Sequence, residues 1–583
     1  MNSLSVSGKN WVPKEFSSEE ISFLKTNYFL DEIVAKLLSI RKIKKEDIKS
    51  FLEPTIKNIL PNPYILKDMD SAIERTEKAI LNSEKIGIFG DYDVDGATST
   101  AILGKYFELL NIPYKIYIPD RKKEGFGPNK KGFTEFIDQG VKLIFTVDCG
   151  TLSFEPMEFA KKQKIDVIIL DHHQSETRLP PAHSIVNPNR FDDKSELTYL
   201  CAAGVCFIFL VALNKRLRDQ RWFLDKSIKE PDLMDTLDLV SLGTVCDVVP
   251  LVDLNRAFVR QGLKVLKKKN NLGLKTLIDV CNIESGITAY HLGYVLGPRI
   301  NAGGRVGKST HGANLLLNKS PINAFKLAAD LNIFNEERKI LETDLLNKIL
   351  NTDYKNSSDP VVILHGENWH EGIIGIIAAR VKDKFNKPTI VISVSDGIGK
   401  GSCRSIQGFD LGSTIIGAVQ SGLLVKGGGH KMAAGFTIDM DKIKEFKDFV
   451  FRKFKSININ LEEKKNYYFD FEIAPSAVNI DFYEKINHLA PYGSGNPEPR
   501  FVIHDVRVVN SKIIANKHIK VVLAGSDSST LKAISFNSVE SELGSYLLQK
   551  KMKPLDIAGK LSLNEWRGQR NVEFIIDDIS VIK

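Results

Sequence analysis

Asp91, Asp93 and Asp95 occupy alternate positions of Asp91-Tyr-Asp-Val-Asp-Gly96, directly after the apolar run Ile86-Gly-Ile-Phe89. Three carboxylates gathered where a strand ends need a cation, because like charges so close repel. The same hexapeptide opens a calcium loop of the EF-hand type. Such a loop, however, is entered from a helix and ends in a glutamate at its twelfth position, which here is Ile102. The remaining chemistry is a hard-cation site at the carboxyl end of a strand, where a divalent ion activates water or binds phosphate.

Other residues extend that chemistry. Asp148 stands in Thr146-Val-Asp-Cys-Gly150, where a lone aspartate would ordinarily cap the next helix. Asp171-His172-His173 follows another apolar run and supplies one metal ligand and one group that can face a phosphate. Asp247, in Gly243-Thr-Val-Cys-Asp-Val-Val-Pro250, is an acid among apolar residues and needs a cation beside it. Together these make a cage of oxygen and nitrogen ligands that suits two Mn²⁺ or Mg²⁺ ions, which ~3.5–4 Å apart can activate water and stabilise a leaving oxygen. His370-Glu371 begins a zinc-protease motif, but Ile374 stands where its second histidine belongs.

The elements that must position these groups read as βαβ. From about 70 to 250, amphipathic stretches such as Ser71 to Asn82 alternate with apolar runs at Ile86–Phe89, Tyr114–Ile118, Leu143–Val147, Val167–Leu170 and Ile185–Val186. The pattern predicts a parallel sheet, with Asp91/Asp93/Asp95, Arg121, Asp148 and Asp171-His172-His173 following successive strands and meeting along one edge. Residues 1–70 are expected to be an N-terminal helical leader, 71–250 the catalytic domain and 251–350 a helical connector ending in a long helix over Ala324 to Leu350. A second α/β domain over 351–460 carries Gly427-Gly-Gly-His430. After the polar run Glu462 to Asn466, short alternating segments over 467–583 predict a small β-barrel. Tyr546, Trp566 and Phe574 are its candidate base-stacking aromatics, against the commoner fate of such rings as core.

Composition narrows the class. At 583 residues the chain should split into roughly three to five domains of ~100–200 residues. A net charge of +8, from 80 basic and 72 acidic residues, points only weakly to a polyanionic partner. Six dispersed cysteines without a C-x-x-C pair indicate neither a zinc knuckle nor a disulfide framework. The N-terminus lacks a signal pattern and no run of ~18 apolar residues occurs, so a soluble cytoplasmic protein without membrane contact is expected.

The ordered set of motifs resembles the DHH phosphoesterase superfamily over nearly the whole chain. It runs Gly90-Asp-Tyr-Asp-Val-Asp-Gly96, Val147-Asp-Cys-Gly150, Asp171-His-His173, Gly243 to Leu251, Pro298-Arg-Ile-Asn-Ala302, Trp369-His-Glu-Gly-Ile-Ile-Gly375 and Gly427-Gly-Gly-His430. Within the superfamily the match tightens to the branch of single-strand exonucleases. The resemblance implies a parallel-sheet DHH domain, joined through a long helix to a DHH-associated α/β domain and followed by an oligonucleotide-binding (OB) barrel. It also implies a 5′→3′ exonuclease of single-stranded DNA, dependent on Mn²⁺ or Mg²⁺ and active in recombination and repair. Such an enzyme would work as a monomer on strands supplied by a helicase and a single-strand-binding protein. Smaller relatives supply the alternative, a phosphodiesterase of short oligonucleotides or cyclic dinucleotides.

Carried over by position, Asp93, Asp95, Asp148, His172 and Asp247 resemble metal ligands, with Asp148 the bridge. Asp91 and His173 match catalytic positions beside the ions, and which of them touches metal and which phosphate stays open. Arg299, Asn301 and Arg305 resemble a group that contacts the DNA backbone. Arg121, Ser402, Arg404 and Ser405 resemble the receptor for the 5′ end, where an arginine fork suits a terminal phosphate. Gly428 and Gly429, before His430, would admit a phosphate close to backbone N–H groups, or else form a tight turn. Gly303, Cys246, Cys403 and Tyr492 depart from the usual family wording without removing a ligand.

Overall fold

The computed structural model describes residues 4–121, 123–284, 286–351, 359–457, 466–549, 554–566 and 568–581. The first expected sheet forms from β2 (Ile86–Gly90), β3 (Tyr114–Tyr117), β4 (Leu143–Val147), β5 (Asp166–Leu170) and β6 (Ser184–Val186), after a short β1 (Asn10–Pro13). All five strands are parallel, in the order β3-β2-β4-β5-β6. Strand side chains alternate between faces, so Ile88, Phe145, Val147, Ile168 and Leu170 join one core while Phe89, Ile144, Val167 and Ile169 join another. Burial on both faces explains why these strands read as unbroken apolar runs.

The stretch expected as a helical connector packs into the first of those cores, through Leu254, Phe258, Leu274, Ile300 and Leu315. The predicted long helix runs from Pro321 to Leu350, 30 residues or about 45 Å. Its Ala324, Ala328 and Leu331 lie in the catalytic core, whereas Leu345 and Ile349 pack with Val362, Ile377 and Val391 of the next domain. One rigid element thus sets the distance between the two.

That next domain is a sheet of β7 (Val362–Glu367), β8 (Thr389–Ser395), β9 (Ile398–Arg404), β10 (Lys426–His430) and β11 (Ala433–Asp439), in the order β10-β11-β9-β8-β7. The glycine triplet is therefore an exposed edge strand and not a tight turn. The polar run before the barrel falls, from Glu462 to Lys465, outside the described residues.

The C-terminal part comprises β12 (Asn466–Phe469), β13 (Phe471–Glu472), β14 (Phe501–Ile514), β15 (His518–Ala524), β16 (Thr530–Ser535), β17 (Leu555–Trp566) and β18 (Gln569–Val581). β14 pairs with both β15 and β17, which closes the predicted barrel as β14-β15-β16-β18-β17. Phe574 is fully buried inside it and Tyr546 packs against the same core, so neither ring is a free platform. The side chain of Trp566 lies outside the described residues.

The N-terminal segment is no detached leader. β1 pairs in parallel with β12, Asn10 opposite Asn466. Leu24, Val34, Leu37, Leu38 and Ile48 share one core with Phe501, Ile503 and Ile557 of the barrel. Arg256, on the catalytic domain's helix Asp253–Lys267, locks this composite in place. Its guanidinium donates to the carbonyl oxygens of Phe51 (2.7 Å), Leu489 (2.7 Å), Ala490 (3.0 Å) and Pro491 (3.2 Å), and lies 3.9 Å from the Phe51 ring centroid. Burial, and Arg260 beside it, lower its pKa to about 9. No helix among the described residues is long and apolar enough to cross a membrane.

Arg256→Ala removes the donor of the Phe51 and Ala490 carbonyl groups, while Asn496 Nδ2 still reaches those of Leu489 (2.8 Å) and Pro491 (2.9 Å), and is expected to lower stability by about 3 kcal/mol. Urea unfolding measures this. Arg256→Lys, which keeps the charge but loses the fork, should fall between the two; an alanine variant as stable as the parent would refute the locking role.

Candidate active site

The acid loop after β2 is held from three sides. Asp93 caps the helix Val94–Leu109, its Oδ1 accepting from Gly96 N at 3.1 Å. Asn301 Oδ1 accepts from Val94 N at 3.2 Å, so this residue, expected on the DNA backbone, fastens the loop. A Cβ on Gly96 would lie 2.6 Å from the Asp91 carbonyl oxygen, and the loop closes only because there is none. Asp95 is buried and accepts from Ala202 N (2.6 Å) and Ala203 N (2.9 Å), at the start of the helix Ala202–Asp219. Positive helix termini thus flank the carboxylates and offset part of their charge.

Asp148 follows β4 with φ 59°, a left-handed conformation that turns the chain sharply. Asp171, after β5, is occupied by its own loop: it accepts from Thr151 N (3.1 Å), His172 N (2.8 Å), and His173 N (3.3 Å) and Nδ1 (2.7 Å). Although burial favours the neutral acid, His173 and these donors hold its pKa far below the usual range. Burial works against charge on His173 as well, yet Asp171 raises its pKa to about 9. Asp171 is therefore a tether that orients the two histidines.

His172 occupies the centre. Its Nε2 lies 3.3 Å from Asp148 Oδ1, 3.6 Å from Asp247 Oδ2 and 3.8 Å from Asp95 Oδ2. Burial lowers its pKa, which keeps the ring neutral and able to donate a lone pair. Ligand atoms of Asp91, Asp93 and Asp148 lie within 4.8 Å of one another, as do those of Asp95, His172 and Asp247, and of Asp148, His172 and His173. Asp148 faces both halves. Burial and mutual repulsion push Asp91, Asp95 and Asp148 above the usual carboxylate range, and Asp247 up to about 9. Among the described residues His172 Nε2 and Asp91 Oδ1 are buried without a hydrogen-bond partner. Acids that cannot all ionise together, with orphaned donor atoms turned inward, fit two divalent cations. The geometry puts Asp91 with Asp93 and Asp148, so a metal-facing place suits it better than the phosphate side.

Beyond the acids the charge changes sign. Arg121 lies over the Tyr92 ring, 5.1 Å from its centroid. Arg305 donates to Gly372 O at 3.1 Å, and burial, with Arg121, Arg338 and Arg404 nearby, lowers its pKa to about 10. The pKa of Arg404, at the end of β9, is lowered by burial and by Arg121 of the first domain. Among the described residues no carboxylate forms an ion pair with Arg121, Arg305 or Arg404, so their charge is left to receive an anion. Gly375 leaves room for Ser402 and Arg404, since a Cβ there would stand 3.0 Å from Ser402 Oγ and 3.2 Å from Arg404 Nη2.

Other expected contacts are engaged elsewhere. Ser405 is buried and donates to Phe409 O at 2.6 Å, which holds a turn in place of a strand. Arg299 is spent on Asn332 Oδ1 (2.9 Å) and Val295 O (2.7 Å), bracing the long helix. Gly428 is exposed, with nothing within 4 Å of where a Cβ would be, and Gly429 and His430 are exposed beside it. Sequence reasoning missed Phe126, 58% exposed, whose ring meets His173 at 5.9 Å and Tyr92 at 6.4 Å. Only its place in Glu124-Gly-Phe-Gly127, a large ring in a glycine-flanked loop, could have signalled it.

The chain matches the DHH family N-terminal domain over 85–244, the DHHA1 domain over 358–456 and the RecJ OB domain over 469–578. The single-stranded-DNA-specific exonuclease RecJ of Escherichia coli is 34% identical over 91% of this chain and 92% of its own length. That of Bacillus subtilis is 31% identical over 98% of this chain and 71% of its own. Among solved structures, Thermus thermophilus RecJ in complex with Mn²⁺ is similar with a TM-score of 0.80 and 25% identity, covering 98% of this chain and 79% of that one. With the DHH, DHHA1 and RecJ OB domains following one another and relatives more than 30% identical over most of its length, the chain belongs to the RecJ family of single-stranded-DNA-specific exonucleases.

Proposed function

We propose that this protein degrades single-stranded DNA from its 5′ end in recombination and repair, hydrolysing one phosphodiester after another with two Mn²⁺ or Mg²⁺ ions. The observation that carries this reading is the opposition of charge across one cleft: six acids and two histidines on the DHH side, and Arg121, Arg305 and Arg404 converging from two domains. Relatives named single-stranded-DNA-specific exonucleases support it.

Asp91, Asp93 and Asp148 would hold one ion, and Asp95, His172 and Asp247, with Asp148 between, the other. When bound, the ions supply Lewis acidity that offsets phosphate charge and favours deprotonation of the attacking water. The chain's own groups do the rest. Arg404, Ser402 and Arg121 receive the terminal phosphate and so set how far the strand enters. His173, tethered at Nδ1 by Asp171, keeps Nε2 to donate to a phosphate oxygen. Phe126 offers a face to a base beside it. The closed barrel belongs to an architecture that binds oligonucleotides. A helicase and a single-strand-binding protein in the cytoplasm would supply substrate to a monomer.

Asp148→Ala is expected to reduce cleavage by at least ~10²–10³-fold, on the scale of losing a preorganised charge-stabilising group, while strand binding stays within a few-fold. Digestion of 5′- and 3′-labelled strands with Mn²⁺, Mg²⁺ or chelator, beside a binding assay, measures both. Mn²⁺-dependent cleavage surviving in that variant would sink the assignment. Faster turnover of a dinucleotide than of a long strand by the parent would favour the short-oligonucleotide phosphodiesterase instead.

Arg404→Ala should cost about 10–100-fold in kcat/KM on strands with a 5′ phosphate, the worth of a charge-assisted hydrogen bond, and less on strands with a 5′ hydroxyl. Equal losses on both would remove the terminal phosphate from the role given to Arg404.

A further inference from the structure

Tyr290 and Tyr294 are four residues apart, and their rings stack with centroids 5.1 Å apart and 28° between planes. Both face solvent, at 59% and 73% exposure. The backbone beneath them is a π-turn, Leu292–Leu296, a rare widened geometry that recurs at functional sites. An exposed stacked pair on such a turn has no part in the core that would explain it.

The turn is keyed to the acid cluster. Leu292 O accepts from Cys246 Sγ at 3.3 Å, and Cys246 directly precedes Asp247. Gly293 lies against Val245, where a Cβ would stand 3.3 Å from Val245 Cγ1, and Gly297 leaves no room for a side chain beside Cys246 Sγ. The loop leading into the pair reaches the barrel in the other direction, because a Cβ on Gly286 would lie 4.0 Å from Glu565 Oε2 near the tip of the β17–β18 hairpin. The tyrosines therefore stand between Asp247 and the barrel. Arg121 stands instead at the Tyr92 end of the cluster, 5.1 Å from the centroid of that ring, and Tyr92 is next in sequence to Asp91.

We infer that Tyr290 and Tyr294 form a base-stacking platform for nucleotides on the 3′ side of the bond being cut, where the strand passes from the barrel to the ions. The inference rests on the exonuclease reading above. A strand whose 5′ phosphate is held at the arginine end must leave the cluster at the Asp247 end. A base laid on the outer face of either ring extends the existing stack, and does so for any sequence because every base has a π-face.

Photocross-linking tests this separately from cleavage, using the Asp148→Ala chain with Mn²⁺ and strands carrying 5-iodouracil at successive positions from the 5′ end. Cross-links to Tyr290 or Tyr294 are expected from one narrow register beyond the scissile bond. None at any position, on a strand that binds, overturns the platform, whereas a parent chain inert on every single strand overturns the exonuclease reading and leaves the cross-link to be judged by itself. In kinetics, the Tyr290→Ala/Tyr294→Ala double variant should raise KM for a long strand by about 10–100-fold, from ~1–3 kcal/mol per stacked base. The loss should fall on KM more than kcat, be smaller for a dinucleotide, and be recovered by phenylalanine at both positions. A loss confined to kcat, or equal for both lengths, would mark damage to the Asp247 loop and refute stacking; so would an undiminished double variant, which leaves the pair free for a protein partner.

Discussion

Buried carboxylates within a few ångströms of one another are the constraint from which the rest of the molecule follows. Asp91, Asp93, Asp95, Asp148 and Asp247 crowd so closely that burial and repulsion raise four of them above their ordinary range. No apolar packing could offset that cost. The protein accommodates it with helix N-termini on the Asp93 and Asp95 sides, a neutral His172 in the middle and places for cations. Each of these works only while strand ends, caps and glycine contacts keep the acids in register.

The opposite problem is solved on the facing wall. Arg121, Arg305 and Arg404 repel one another and are drawn from both α/β domains, so the positive wall exists only when those domains keep a fixed separation. The helix Pro321–Leu350 sets that separation by rooting one end in each core. Cleft width is thus a property of helix length, and an anionic strand relieves the positive wall while cations relieve the acid one.

The parts of this design readable in sequence were those written locally. Unbroken apolar runs ending in Asp, or in Asp-His-His, announced parallel strands with ligands at their carboxyl ends, and each run became a strand. The long helix, the second α/β domain and the barrel also followed from local periodicity. What escaped depends on partners hundreds of residues away. Nothing around Arg256 says that Phe51 and Leu489 to Pro491 will present carbonyl groups to it, and nothing in the first fifty residues says that their apolar face matches a barrel. Roles within the site blurred for a related reason. Asn301 and Ser405 are polar residues in the right neighbourhoods, but one caps Val94 and the other closes a turn. Residue type names a capability, and only the backbone around it decides which capability is used. The glycine triplet shows the same limit, since three glycines permit a tight turn and an open edge strand equally.

The pairing of β1 with β12 joins residues 456 apart in the chain. On a ribosome, the helices around Leu24 and Leu37 emerge long before the strands that cover them. Both α/β domains can be complete while that apolar face still waits in water, exposed to chaperones and to other nascent chains. A segment made later thus seals one made hundreds of residues earlier, and until the barrel has been made that apolar face has no partner to cover it.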